Sequence, residues 1–385
     1  MKEKIINGIN YRLNEHNLTA EVINNDYEGD IIIPDTVVFN ERTYRVTSIG
    51  DYAFRDCFSL TSIFISKSIK SIGKSIFDRC ESLTSIVVAG ENTVYDSREK
   101  CNAIIETDAN TLIYGCQNTT IPASITSVGE SAFYSCISLT SIIIPDNIKS
   151  IGKGAFGYCT SLTSITVPNS VTSIGASTFV NCKSLKSIVI LDSVTSIGDY
   201  AFFGCNSLTS IIIPNNVKSI RKKAFAHCTS LTSITIPRGV TSIGDYAFQC
   251  CFSLTSVVIP DGVTSIGDCA FIRCTSLTSI IIPDSVTSIG YRAFAGCESM
   301  ISITIPNSIM SIGTEALLDC NSLKSITIPA SVKDIGHTAF EDCDSLTSIT
   351  FQGSIAQWKE IEFGDGWNDE IPTKVVHCTD GDVEI

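Results

Sequence analysis

Apolar residues recur along most of this chain with a fixed spacing of 23 positions. In the unit that begins at Leu208, they stand at offsets 3, 5, 9, 12, 16, 17 and 20, and the series restarts at Leu231. A period of about 20–50 residues is typical of stacked repeats. Phenylalanine marks offset 17 in most units, and Leu317 takes its place once. These phenylalanines are Phe54, Phe77, Phe133, Phe156, Phe179, Phe202, Phe225, Phe248, Phe271, Phe294 and Phe340.

Each unit contains two short runs that alternate as β-strands do. The first is Leu-Thr-Ser-Ile-x-Ile, which usually ends at a proline such as Pro214, and the second is Val-Thr-Ser-Ile-Gly. The glycine predicts a turn that a side chain would strain, although Arg221 occupies that position once. The following x-x-Ala-Phe-x-x-Cys segment is too short for a stable helix and predicts one turn of α- or 3₁₀-helix. Stacked coils bury apolar positions that one coil cannot, so we expect about 13 coils around an apolar core.

The two ends of the chain depart from the period. Residues 1–45 contain Asn7-Gly8 between apolar residues, a strong signal for a β-hairpin, and a second hairpin is expected to turn at Asn40-Glu41. Residues 351–385 contain a short amphipathic helix after Ser354 and a last hairpin. A solenoid needs atypical units over its first and last coils. We therefore predict an N-terminal β cap at 1–45, the repeat array at 46–350 and a C-terminal cap at 351–385.

Residues 89–120 interrupt the array with two β-prone runs around a polar turn. We predict a hairpin inserted into an enlarged coil. If Asp108-Ala109 is the turn, Cys101 and Cys116 face each other across the hairpin, close enough for a disulfide. Two unpaired cysteines fit the sequence equally well.

Most of the 17 cysteines follow the repeat at offset 20. This spacing is unlike the CxxC pairs of zinc sites, so we predict a packed, inward column of reduced thiols. The members are Cys57, Cys80, Cys136, Cys159, Cys182, Cys205, Cys228, Cys251, Cys274, Cys297, Cys320 and Cys343.

The outward positions of the first strand carry the functional question. Offset 2 is serine throughout, and offset 4 is β-branched or aromatic. Strand propensity explains the threonines at offset 4, whereas a contiguous apolar stripe often marks a contact surface. Both interpretations stay open at this point. The candidate interaction residues are Phe64, Ile143, Val189, Ile212, Thr235, Val258 and Ile281.

The unit Leu-Thr-Ser-Ile-x-Ile-Pro-x-Ser-Val-Thr-Ser-Ile-Gly-x-x-Ala-Phe-x-x-Cys resembles the BspA-type leucine-rich repeat over residues 46–350. The resemblance implies a right-handed, β-rich leucine-rich-repeat solenoid with a parallel sheet on its concave face and short turns or 3₁₀ segments opposite. It also implies a cell-surface or secreted bacterial protein that acts in adhesion and protein recognition. Function depends on the variable outward positions, so the resemblance bears on it less than on the fold.

Charge and motifs narrow the function classes. The net charge of −13 disfavours nucleic acid as a partner. No apolar run is long enough for a membrane span, and Met1–Ala20 does not have the pattern of a secretory signal, which makes the cytoplasm the alternative location. No catalytic or nucleotide-binding motif occurs, and we expect no cofactor. The acidic loops Asp365–Asp369 and Asp380–Asp382 are expected to be solvated turns rather than calcium sites.

These observations predict a non-enzymatic scaffold. It would bind a protein, for example on a host or cell surface, or a surface glycan, through the concave face. The alternative is a structural or self-associating repeat protein without a specific ligand. We expect a monomer or weak self-association.

Overall fold

The computed structural model describes residues 1–385, which divide into two units, residues 1–185 and residues 186–385. Each unit is a stack of short coils. Within a unit, the first strand of one coil pairs in parallel with the first strand of the next, and the second strands pair in the same way. The predicted β-solenoid is therefore confirmed, with about 16 turns rather than 13. The count is higher because parts of both ends and of the insert also form turns.

The strands of the first unit are β1 Lys2–Ile6, β2 Ile9–Asn14, β3 Thr19–Val22, β4 Gly29–Ile33, β5 Thr36–Phe39, β6 Arg42–Ile49, β7 Leu60–Ile65, β8 Ser71–Ile72, β9 Ser85–Val88, β10 Tyr95–Asp96, β11 Ala103–Glu106, β12 Thr111–Gly115, β13 Ser127–Val128, β14 Ser150–Ile151, β15 Ser164–Val167 and β16 Ser173–Ile174. One 3₁₀ helix spans Arg98–Lys100.

The strands of the second unit are β17 Ser187–Ile190, β18 Ser196–Ile197, β19 Ser210–Ile212, β20 Ser219–Ile220, β21 Ser233–Thr235, β22 Ser242–Ile243, β23 Ser256–Val258, β24 Ser265–Ile266, β25 Ser279–Ile281, β26 Ser288–Ile289, β27 Ser302–Thr304, β28 Ser311–Ile312, β29 Ser325–Ile328, β30 Asp334–Ile335, β31 Ser348–Phe351, β32 Glu362–Phe363, β33 Val375–Cys378 and β34 Gly381–Glu384. The helix α1 spans Ile355–Trp358 and begins at a capping box formed by Ser354 and Gln357.

The N-terminal hairpins form where the sequence predicts them. β1 and β2 pair with Ile6 opposite Ile9, and Asn7 and Gly8 both have positive φ, as a two-residue turn of this kind requires. β5 and β6 turn at Asn40-Glu41. Beyond these hairpins, β3 pairs in parallel with β6 and β4 with β7, so the N-terminal segment also contributes a turn of the stack.

The insert forms the predicted hairpin, with Glu106 opposite Thr111. Its second strand, β12, pairs in parallel with β13 and so takes the place of a second strand in the stack. The disulfide considered from the sequence is not formed: Cys101 and Cys116 are both free and buried. The pairing of the hairpin shifts register between Ile104 and Ile105, so that Ala103 lies opposite Gly115, and the sequence pattern does not reveal this shift. The Cys116 thiol instead donates to the carbonyl of Asn102, at 3.4 Å.

The x-x-Ala-Phe-x-x-Cys segments are not helical, contrary to the expectation of a helical or 3₁₀ turn. In the coil of Phe225, the N–H of Cys228 donates back to the Phe225 carbonyl, and the N–H of Phe225 donates to Ala247 of the next coil, at 2.9 Å. Lys223 and His227 have φ of 52° and 60°. Two left-handed residues in every such segment prevent a continuous right-handed helix.

The recurring glycine has a different role from the one predicted. It does not adopt positive φ at Gly73, Gly152 or Gly290. Instead, a Cβ added at Gly290 would lie 2.5 Å from the backbone nitrogen of Asp268 in the preceding coil. The glycine therefore permits close approach of two backbones.

Stacked phenylalanine rings fill the centre of each unit. In the first unit, Phe133 lies 5.2 Å from Phe156 between ring centroids, with an angle of 9° between the rings. In the second, the Phe225 ring lies 5.3 Å from Phe202 and 5.6 Å from Phe248. All of these rings are fully buried. Tyr27 packs on Phe54 at the N-terminal end, and Trp367 packs on Phe340 at the C-terminal end.

Candidate interaction face

The exposed side chains of the first strands form what we call the first-strand face. In β19, Ser210 and Ile212 are exposed, whereas Ile211 between them is buried. The same alternation recurs in β21, β23, β25 and β27. Because alternate side chains of a strand point to opposite sides, burial of offset 3 leaves offsets 2 and 4 at the surface.

The structure places all seven candidate residues at offset 4 on the surface. The exposed fractions are 85% for Ile143, 81% for Ile212, 73% for Ile281, 71% for Val258, 51% for Val189 and 37% for Phe64, and Thr235 is also exposed. Large aliphatic side chains with so little cover are costly in water, so this face presents apolar area for a contact.

In the second unit, four of the candidates form one continuous column. Ile212 pairs with Thr235, Thr235 with Val258, and Val258 with Ile281 in successive parallel strands. The column continues through threonines and ends at His377 of β33. It therefore has an aliphatic half followed by a hydroxylated half, Thr304, Thr327 and Thr350.

In the first unit, the column is shorter and interrupted. Phe64 pairs with Val87 on one side and with Ile32 on the other. Ile32 is 67% exposed and was missed, although its Ile-Ile-Ile-Pro context matches the end of the first strand in the repeat. Ile143 is not brought together with these residues, because its segment after the insert forms no strand.

Threonines at offset 1 connect neighbouring coils by hydrogen bonds. The Thr255 hydroxyl donates to the carbonyl of Thr232 at 3.2 Å, and the Thr278 hydroxyl donates to the carbonyl of Thr255 at 3.3 Å. These hydroxyls bridge neighbouring coils, so their donor hydrogens already have partners within the protein. The serines at offset 2, such as Ser233 and Ser256, stay exposed beside the aliphatic column.

A polar rim borders the aliphatic half of the column. A groove at the ends of β21 and β23 is lined by Thr235 and Val258 together with Asn215, Arg238 and Asp261. Arg238 and Asp261 occupy the same offset in consecutive coils and carry opposite charges. An apolar centre with a polar, charge-balanced rim is the usual composition of a protein–protein contact.

One titratable side chain at an end of each column is held by a polar neighbour. At the N-terminal end, Asp30 accepts from the hydroxyls of Ser62 and Thr61, at 2.6 and 2.8 Å, and these bonds lower the pKa of its carboxyl group. At the other end, His377 Nδ1 lies 2.9 Å from Asp382 Oδ1. The offset-4 column of the second unit, from Ile212 to Thr350, contains no charged side chain.

The acidic C-terminal loops have structural partners. Asp380 Oδ1 accepts a hydrogen bond from the N–H of Ile355, at 2.7 Å, so it holds the start of α1. Asp382 contacts His377 as described. No three His, Cys, Asp or Glu side chains converge in a way that would hold a metal ion. No helix has the length and apolar character that a membrane crossing requires.

Several solved structures resemble this chain. A leucine-rich cell surface protein from Faecalibacterium prausnitzii is 30% identical, with a TM-score of 0.56 over 94% of this chain and 98% of that one. A leucine-rich repeat protein from Bacteroides ovatus is 27% identical, with a TM-score of 0.51 over 96% and 99%. The pneumococcal vaccine antigen PcpA is 18% identical, with a TM-score of 0.57 over 99% of both chains, which shows a shared fold alone.

No curated protein matches the chain. The model of the BspA type leucine-rich repeat region matches residues 35–103, 104–208, 173–260, 195–297 and 241–366. These segments cover most of the repeats described above, including the insert. Proteins of this class are generally protein-binding or adhesion scaffolds, typically without enzymatic activity. The chain belongs to the BspA-type leucine-rich repeat family.

Proposed function

We propose that this protein is a non-enzymatic recognition scaffold that binds a protein partner through the first-strand face of its second unit. The observation that carries the proposal is the paired column of Ile212, Thr235, Val258 and Ile281, in which the three aliphatic side chains are 71–81% exposed. The stacked coils hold this column on a rigid sheet. A rigid surface loses little conformational entropy when it binds.

Strand propensity alone explains this column less well than a contact surface does. β-Branched residues suit strands, but threonine would serve equally at a fully exposed position, as it does at Thr304, Thr327 and Thr350. The aliphatic side chains are concentrated in one half of the column instead of alternating with threonine along its whole length. This concentration, next to the charged rim of Arg238 and Asp261, favours a contact surface.

A surface location supports the proposal by analogy. The Faecalibacterium relative is described as a cell surface protein, and we extend that location to this chain as part of the proposal. A surface protein of this family would present the first-strand face to proteins of a host or of neighbouring cells. A surface glycan is the second class of ligand for the same face.

Self-association without a specific ligand is the alternative function. The last strand of the first-strand sheet, β34, leaves an open edge that carries exposed Asp382 and Glu384. Charged side chains on an edge strand disfavour pairing with another copy. Light scattering over a range of concentrations tests the alternative, and a mass that stays at one chain would exclude it.

The experiment replaces Ile212, Val258 and Ile281 together with lysine. We expect the variant to lose partners that the wild-type chain captures from host-cell or bacterial surface extracts. The matched control places three lysines at Thr241, Thr264 and Thr287, which are exposed positions directly before the second strands in the same stretch. Because the hydroxyls of these threonines donate to the preceding coil, thermal melting first checks that both variants fold. Unchanged capture by the first variant, with the control also unchanged, would refute the proposed face.

A further inference from the structure

The outward side of the x-x-Ala-Phe-x-x-Cys segments, which we call the turn face, is held together by a backbone ladder. In an intact stretch, the N–H groups of Tyr246, Phe248 and Cys250 donate to the next coil at 2.8, 2.8 and 2.9 Å. The insert interrupts this ladder after the turn that contains Phe77. The N–H groups of Phe77 and Arg79 make no such bond, and Gly115 of the insert donates to Ala132 in their place.

A groove of about 500 Å³ lies at this break, wholly within the first unit. A volume of this size suits a small ligand. One hydrogen bond, from Ser138 Oγ to the Glu81 carbonyl at 2.9 Å, links the segments that follow the two separated turns. The groove therefore lies where the insert separates two turns that would otherwise stack directly.

Three tyrosines line the groove. Tyr52 and Tyr158 are 46% and 39% exposed, and the Tyr134 and Tyr158 rings lie 5.2 Å apart. Tyr134 lies against Gly157, where an added Cβ would come within 2.9 Å of its ring. The small residue thus makes room for the ring. Phenol side chains combine a flat apolar surface with a hydroxyl that donates and accepts hydrogen bonds.

The charges of the groove are balanced. Arg55 and Arg79 line it, and Asp56, which is not itself part of the lining, pairs with both, at 3.4 and 2.8 Å. The Arg55 guanidinium also lies 5.5 Å from the centre of the Tyr52 ring. Asp78, the remaining carboxylate, is half-buried in the groove and has no cation at ion-pair distance. The Ser75 side chain donates one hydrogen bond to this carboxylate, and its remaining lone pairs are open to the groove.

We propose that this groove binds a neutral oligosaccharide. Tyrosine rings would cover the apolar faces of the sugar rings, and Asp78 with the two guanidinium groups would accept from and donate to neighbouring hydroxyls. The balanced charge disfavours a charged ligand of either sign. A peptide is disfavoured because Ile137 provides the only aliphatic side chain in the lining, and recognition of an extended peptide uses side-chain pockets.

The test is titration calorimetry on the full chain with maltotetraose, cellotetraose, mannotetraose and chitotetraose as probes. We expect saturable binding of at least one probe. Asp78→Asn and Tyr52→Ala should each weaken it about tenfold or more, since each removes a contact worth at least about that factor. Tyr52→Phe, which keeps the ring, should stay closer to the wild type than Tyr52→Ala and guards against loss of folding.

Tyr246→Ala is the matched control. Tyr246 has the same offset and φ as Tyr52 (57° and 58°), but it belongs to an intact stretch of the ladder. Its replacement should leave binding unchanged. Absence of binding by all four probes would overturn the proposal, as would wild-type affinity in the Asp78→Asn and Tyr52→Ala variants. Binding of a serine–glycine tetrapeptide with the same residue dependence would assign the groove to polypeptide and also overturn it.

Discussion

The thiol of Cys251 donates a hydrogen bond to the backbone carbonyl of Phe225, 26 residues earlier, at 3.2 Å. The same bond joins Cys228 to Phe202 and Cys274 to Phe248, each at 3.2 Å. The carbonyl of Phe225 already accepts from the N–H of Cys228 in its own turn. The cysteine therefore uses the second acceptor site of a buried carbonyl, which explains why offset 20 carries a small residue with a weak donor.

Replacement of Cys251 by alanine should lower the free energy of unfolding by about 1–3 kcal/mol, because it removes this bond and leaves a small cavity. Urea denaturation measures the change. Cys378→Ala, at a partly exposed site of the terminal hairpin, is the control and should stay close to the wild type. Equal stability of all three proteins would show that the thiol bond contributes nothing measurable.

Thiol reactivity should follow burial. Burial raises the pKa of Cys182, Cys228 and Cys297 to about 12, so these thiols stay protonated and unreactive at neutral pH. Of the 17 cysteines, all except Cys136 and Cys378 are buried. We expect a thiol reagent to label Cys378 first. Cys136 should react more slowly, because burial raises the pKa of the Cys136 thiol further than that of Cys378. Rapid labelling of many thiols in the native protein would contradict the packed column.

The phenylalanine stack should tolerate leucine better than alanine. Phe225→Ala removes a fully buried ring between two others and should cost about 3–5 kcal/mol. Phe225→Leu should cost about 1–2 kcal/mol, because Leu317 already fills this position in another coil and is 1% exposed. Denaturant midpoints compare the two variants. A larger loss for leucine than for alanine would contradict this account of the core.

Acidic side chains near the C-terminus should make stability depend on pH. Burial, together with the neighbouring carboxylate of Asp342, raises the pKa of Asp319, and a hydrogen bond with Asp342 raises that of Glu370. A raised carboxyl pKa means that the folded state binds protons more tightly than the unfolded chain. These two groups therefore contribute stability at low pH, and their contribution is lost as the pH rises through the raised values.

Asp342→Asn should therefore raise the melting temperature at pH 7 more than at pH 4. Asp284→Asn, at an exposed site of another coil, provides the control for the loss of one negative charge. Thermal unfolding at both pH values measures the difference. A larger gain at pH 4 than at pH 7 for Asp342→Asn would contradict the proposed repulsion.

Features that depend on local residue identity could be predicted from the sequence. Asn7-Gly8 indicated the first hairpin, and the spacing of Phe225 and Phe248 indicated a shared core, because the same offset in successive coils must meet the same neighbour. The surface position of Ile212 and Val258 followed from strand alternation.

Features that depend on contacts between coils could not be predicted. The close approach at Gly290 involves the backbone of another coil, and the register shift between Ile104 and Ile105 in the insert has no sequence signal. The positive φ of Lys223 and His227 also has no clear sequence signal, because the residues at these two positions differ from coil to coil and are rarely glycine. The groove beside Tyr134 arises from a break in hydrogen bonding between coils that are distant in sequence.

Because the pairing register repeats from coil to coil, the chain can change length by whole coils. Ser233, Ile234 and Thr235 pair with residues of the same offset on both sides. Removal or duplication of one whole period within the second unit would therefore join ends that fit each other as well as the original neighbours did. Unequal recombination between repeats can therefore lengthen or shorten the protein by whole coils. Each event adds or removes one surface strand, and the interior requires no compensating substitution.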